Sequence, residues 1–142
     1  MINFYNEDIS RPKLKYLLLK KWIKEIVLSN NFKIGTVSII FCSDTYILKI
    51  NNDFLNHDYF TDIITFNYNE LNILSGDIFI SLDTVRTNSI QYSTSYENEL
   101  LRVIIHGILH LIGFNDKSES ELLEMRSKED ESLLVYYNSI DS

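Results

Sequence analysis

Residues 100–116 read LLRVIIHGILHLIGFND. Apart from Arg102 and two imidazoles, the stretch is apolar up to Gly113, and Thr94 with Glu97 forms a capping-box pattern just ahead of it. It predicts a core helix ending at about Ile112, with Gly113 as its stop. Residues four apart on a helix project from one face, so His106 and His110 stand together. Asp116 follows three residues after Gly113, where a reversed chain brings a carboxylate back beside the imidazoles.

Working outward, the flanking segments supply layers for this helix to pack on. Ile2 to Tyr5, Lys33 to Cys42 (KIGTVSIIFC), Asp62 to Tyr68 (DIITFNY) and Asp77 to Ser81 (DIFIS) carry the β-branched and aromatic content of strands. Asn69 to Gly76 reads as the turn joining the last two. Ser10 with Pro12 predicts a helix start, and that helix runs to about Ser29 with Leu18, Leu19, Trp22, Ile23 and Ile26 on its core side. Asp44 looks like the cap of a short helix to about Leu55. Leu82 to Ser93 is a weak helix. Ser118 with Glu121 is a capping box that opens a charged helix to about Tyr137. Strands interleaved with helices give an α+β fold, an α/β-type single mixed sheet of about four strands packed with helices, one of them a zincin-like metal helix. No repeat or linker interrupts it, so residues 1–142 read as one continuous domain.

Composition narrows the class. At 142 residues, 45% hydrophobic and with 4 Gly and 1 Pro, the chain has a real core and is not disordered or fibrous. The single Cys42 excludes an internal disulfide and favours a cytoplasmic home. There is no signal-peptide pattern and no apolar run approaching the roughly 18 residues of a membrane span. The net charge of −7 is uneven: residues 1–71 balance, residues 72–142 carry all the excess, and residues 11–24 (RPKLKYLLLKKWIK) hold six basic side chains and no acid. Lys13, Lys20 and Lys24 fall opposite the core side of the first helix, a local basic face suited either to solvent or to a polyanion.

The chemistry lies in the quoted stretch. Two histidines at i and i+4 are more often packed or surface residues than ligands. Here the glycine stop and the acid ten residues after His106 reproduce a helix, turn and third-ligand layout, H-x-x-x-H-x-x-G-x-x-[ligand], of zinc sites. His106, His110 and Asp116 would hold one divalent ion and leave a coordination position open, as catalytic sites do. The carboxylate admits manganese or iron beside zinc. Zinc peptidases carry a glutamate directly after the first histidine as general base. This chain has Gly107, which argues against that chemistry.

HGILHLIGFND resembles the HGxLHLxGYDH signature of the YbeY family of metal-dependent endoribonucleases. INNDFLNHDYFTDIITF (residues 50–66) is similar to that family's LNxxYRxxDxxTDVLSF block, and SGDIFIS and ENELLRVIIHG continue the likeness in order. The resemblance implies a single-strand-specific endoribonuclease of ribosomal-RNA processing, with His106, His110 and Asp116 as metal ligands. It implies phosphodiester cleavage by metal-activated water or a metal-polarised phosphate, and ribosomal RNA or ribosomal particles as partners. Two positions depart from the family: Asp116 replaces a histidine, and Leu55 replaces an arginine fit to hold phosphate. Arg86, Arg102 and Lys117 are possible replacements that read first as solvated surface charges.

Asp62 and Asp77 are second candidates, as carboxylates that orient ligand imidazoles by accepting a ring N–H. His57 and Asp58 precede the TDIITF strand and could reach the cleft. Glu99 reads as a helix-face charge, Cys42 as core filler and Met125 as packing. Two other functions stay open: a non-catalytic RNA-binding ribosome-assembly factor with a structural metal, and a zinc peptidase taking its base from elsewhere.

Overall fold

A computed structural model describes residues 1–55 and 61–141. In chain order its elements are β1 (Ile2–Asn6), α1 (Tyr16–Ser29), β2 (Lys33–Cys42), α2 (Asp44–Leu55), β3 (Ile63–Asn67), β4 (Ile73–Ser81), α3 (Leu82–Gln91), α4 (Tyr96–Ile112) and α5 (Glu119–Asp141). The strands form one mixed sheet in the order β1-β2-β4-β3, with β1, β2 and β4 parallel and β3 antiparallel to β4. This is the expected α+β architecture.

Alternation along the central strands explains how both sheet faces are covered. Val37, Ile39 and Phe41 of β2 and Leu74, Ile78 and Ile80 of β4 point to one face, where they join α1, α4 and α5 in the main core. Cys42, Ile64, Phe66 and Phe79 point to the other face and meet Tyr46 and Ile47 of α2. Trp22 ties the outer layer together: its ring meets Tyr136 edge-on at 5.0 Å, and Nε1–H donates to the Ser132 carbonyl at 2.8 Å.

Helix α4 lies close on the sheet because Gly107 has no side chain. A Cβ there would stand 2.8 Å from Ile63 Cδ1 and 2.9 Å from Ile78 Cγ2. Its far end is tied down as well. The free Leu111 carbonyl accepts from Asn69 Nδ2 at 2.7 Å and from Asn67 Nδ2 at 3.4 Å, both on the β3–β4 hairpin.

Several boundaries differ from the sequence expectation. Helix α1 starts at Tyr16, because Pro12 and Arg11 are held outside it: the Tyr16 hydroxyl donates to the Pro12 carbonyl and the Arg11 guanidinium stacks on the Tyr16 ring. Ser95, not Thr94, caps α4 by accepting from Asn98 N, while Thr94 Oγ1 takes the Asn98 side-chain amide. Ser43 caps α2, freeing the Asp44 carboxylate to accept the Ser81 and Thr84 hydroxyls. Strand β4 begins at Ile73, since Leu71 takes a positive φ of 54° and the hairpin closes on Glu70 and Ile73. The Ser118–Glu121 box forms in both directions, backbone to side chain each way.

Candidate metal centre

His106 and His110 sit on the last two turns of α4, with ring centroids 4.5 Å apart. Gly113 then ends the helix with φ 126°, a backbone state that L side chains rarely adopt, and its N–H and that of Phe114 close on the Leu109 carbonyl. The reversal carries Asp116 back over the imidazoles. Its Oδ2 lies 3.3 Å from His106 Nε2 and 3.2 Å from His110 Nε2.

Those distances test whether a metal fits. Bonds of 2.0–2.1 Å in a tetrahedral shell put neighbouring ligand atoms about 3.3 Å apart. Both nitrogen–oxygen edges match, and the ligand atoms of all three residues lie within 4.8 Å of one another. His106, His110 and Asp116 are therefore able to hold a divalent cation, with room for a fourth ligand on the open side.

A residue far along the chain fixes the imidazole. Glu129 of α5 is buried, and its Oε2 lies 2.6 Å from His106 Nδ1. A carboxylate accepts only, so Nδ1 carries a proton and Nε2 is the ring atom left to ligate a metal. The other Glu129 oxygen accepts from Arg102 Nη1 at 2.8 Å, and Arg102 Nη2 donates to Asp130 at 2.7 Å. Burial alone would raise the Glu129 carboxyl, but the His106 and Arg102 contacts outweigh it and hold the group below its ordinary value. Burial alone would lower His106, but its bond to Glu129 and the nearby carboxylates push it up.

The centre opens into a groove of about 400 Å³. Asp62, just before β3, lines it beside His106, as does Glu99, which is only 6% exposed. Burial pushes both carboxyls up, with His106 opposing the rise at Asp62 and Asp62 adding to it at Glu99.

Not every sequence candidate arrives here. Asp77 projects from the opposite sheet face, in phase with Phe79, and its Oδ2 accepts from the Tyr68 hydroxyl at 3.2 Å, so it does not reach the imidazoles. Glu99 is a buried groove residue rather than an exposed helix charge. Arg102 is an ion-paired strut rather than a solvated charge. Arg86 stacks on Tyr96 and Lys117 is exposed outside the groove. His57 and Asp58 lie outside the described residues. Met125 is packed in the core, and Cys42 is buried with its thiol pushed up to about 12 by burial and then by Asp8.

The family model described as Endoribonuclease YbeY matches residues 2–136. The chain belongs to the YbeY family. Endoribonuclease YbeY of Porphyromonas gingivalis is 48% identical over 141 residues, covering 99% of this chain and 93% of the relative. That of Parabacteroides distasonis is 51% identical over 134 residues, 94% of each chain. Among solved structures, the solution structure of TM1509 from Thermotoga maritima superposes with a TM-score of 0.64 at 27% identity, covering 98% of this chain and 93% of that one. Within this YbeY-type fold the sequence reading missed Glu129. Its one signal is a position four residues after Met125, on the inward side of a helix otherwise rich in exposed charge.

Proposed function

We propose that residues 1–142 form a single catalytic domain, a metal-dependent endoribonuclease that cuts single-stranded RNA in ribosomal-RNA processing in the cytoplasm. The observation that carries the reading is the His106, His110 and Asp116 constellation with Glu129 behind it and an open side facing a groove. It is supported by the YbeY relatives, which are named endoribonucleases. No helix among the described residues is long and apolar enough to cross a membrane.

The mixed nitrogen and oxygen donors suit zinc first, with manganese or iron as the harder alternatives. Bound there, a divalent ion supplies Lewis acidity toward a phosphoryl oxygen or a water. The chain's own residues do the positioning. Glu129 holds the His106 proton on Nδ1, Arg102 neutralises Glu129, and Gly113 turns Asp116 into place. Position 107 points at Ile63 and Ile78 of the sheet, so the place a peptidase fills with its base is turned away from the groove. An open metal side weighs against a purely structural ion.

RNA docking is assigned to a second surface. Lys20 and Lys24 of α1 line a groove of about 650 Å³ with Lys21 and Lys33, at the β1 edge of the sheet, the edge away from β3. Lys13 precedes α1 and lines a different surface, beside Arg86 and Glu97. The proposed phosphate-binding set is therefore Lys20, Lys21, Lys24 and Lys33, in a groove that no acidic side chain among the described residues lines.

The test is cleavage of RNA and of casein side by side, with metal content measured. Wild type should hold one divalent ion per chain and cut single-stranded RNA until chelator is added. His110→Ala should lose both properties, and Asp116→His should keep the metal. Metal-dependent casein cleavage, or equal metal content in His110→Ala, would overturn the reading.

A further inference from the structure

The groove beside the metal centre holds two arginines in opposite situations. Among the described residues four carboxylates line it, Asp62, Glu99, Asp116 and Glu129, against Arg102 and Arg126. Arg102 is spent: one end of its fork is bonded to Glu129 and the other to Asp130, and its side chain is 18% exposed. Arg126 is 61% exposed, and its ion-pair contact is to Glu129 Oε1 at 3.7 Å, beyond hydrogen-bond reach. That oxygen already accepts from Arg102, and the second Glu129 oxygen is held by His106. The Arg126 fork thus keeps its donors for something outside the protein.

Its place on α5 says what. Leu122, Met125, Arg126 and Glu129 form one stripe of the helix, the i, i+3, i+4, i+7 side that lines the groove. Arg126 precedes Glu129 by about 4.5 Å along the helix axis, and Glu129 touches His106. A long side chain anchored there reaches the space in front of the metal ligands. A planar guanidinium with free parallel N–H groups matches a phosphodiester, whereas the surrounding carboxylates repel one. Leu55 brings no cation.

We propose that Arg126 grips a backbone phosphate of the bound RNA, at or next to the phosphate that sits at the metal centre. This rests on the endoribonuclease reading above, and adds to it the residue that brings the polyanion into an acidic groove.

The experiment is fluorescence anisotropy of a labelled, fully 2′-O-methylated single-stranded RNA, verified intact on a gel, titrated with metal-loaded protein across a salt series. Arg126→Gln should weaken binding about ten-fold at low salt, and flatten the log-affinity versus log-salt slope by about 0.7, the loss of one phosphate contact on a single strand. Arg126→Lys should keep the slope and recover only part of the affinity, because a point charge replaces a fork. Metal content should match wild type in both variants. Unchanged affinity and slope in Arg126→Gln, with wild type binding and cutting RNA, would refute the Arg126 contact and leave the endoribonuclease reading standing. Loss of metal from Arg126→Gln would refute it differently, making the arginine a support for Glu129. A wild type that neither binds nor cuts single-stranded RNA would remove the functional reading and this inference with it.

Discussion

Replacing Gly107 by alanine sets two physical effects of opposite sign against each other. Alanine is the better helix former, by about 0.8–1 kcal/mol over glycine in a helix interior. Yet the added methyl would stand 2.8 Å from Ile63 Cδ1, 2.9 Å from Ile78 Cγ2 and 3.2 Å from Ile78 Cδ1. Ordinary carbon contacts lie at about 3.5–4.0 Å. Either α4 lifts from the sheet by roughly half an ångström or more, or the fully buried Ile78 leaves its rotamer. Overpacking of this kind costs about 1–3 kcal/mol, so the net effect is a loss of about 1 kcal/mol. In a chain of this size that lowers Tm by roughly 4 °C.

The lift has a second consequence. His106 and His110 ride on α4, but Asp116 follows the turn and Glu129 belongs to α5. Moving the helix lengthens the 2.6 Å contact and the 3.2–3.3 Å ligand edges together. Metal affinity should fall about ten-fold, read by competition with a coloured chelator alongside a thermal melt. A Gly107→Ala protein that melts higher than wild type and binds metal equally well would refute the reasoning, since propensity would then have won and α4 would not press on the sheet.

Two further outcomes follow from the buried carboxylates. Glu129→Gln keeps the side-chain shape but can turn an N–H toward His106 Nδ1, so metal affinity should drop by about 10–100-fold with little change in melting; equal affinity would mean that Glu129 does not set the imidazole. Glu99 is raised by burial, so the folded protein binds its proton more tightly than the unfolded chain does. Its contribution therefore falls as pH rises through that raised value, and the penalty is complete above it. Glu99→Gln should melt higher than wild type at pH 8, with the gain shrinking toward pH 4, and a pH-independent difference would contradict it.

What could be read from the sequence was what local periodicity encodes. The apolar run before Gly113, the imidazoles four apart and the acid beyond the turn all act within one helix and its stop, and the structure brings the three together. Glu129 escaped because its partner His106 is 23 residues away, across a turn and half a helix. Arg102 was misread for the same reason, since Glu129 and Asp130 reach it only once α5 folds back on α4. At Asp77 the information was present: it alternates with Ile78 and Ile80, which face the metal helix, so parity alone puts it on the other side. The start of α1 was lost to competition, because Ser10 and Pro12 are good opening signals that the Tyr16 ring overrides. Strand order depends on pairings between distant segments, which no local pattern records.

The groove's charges make metal and RNA binding depend on each other. Among the described residues four carboxylates face two guanidinium groups, and Arg102 is consumed by Glu129 and Asp130, so without a metal the groove repels a phosphodiester. A divalent ion held by His106, His110 and Asp116 would cancel that excess beside the proposed phosphate site. Removing it should therefore weaken binding of the 2′-O-methylated RNA by at least about ten-fold, well before any question of catalysis arises. The binding that remains should belong to Lys20, Lys21, Lys24 and Lys33, at the β1 edge of the sheet. Changing all four to glutamine should then flatten the residual salt slope by up to about 2.8, at roughly 0.7 per phosphate contact. The same variant, loaded with metal, should keep its metal and its Arg126-dependent binding. Equal RNA affinity with and without chelator would show that the groove takes no part in holding the strand, and would place recognition wholly on the lysine face.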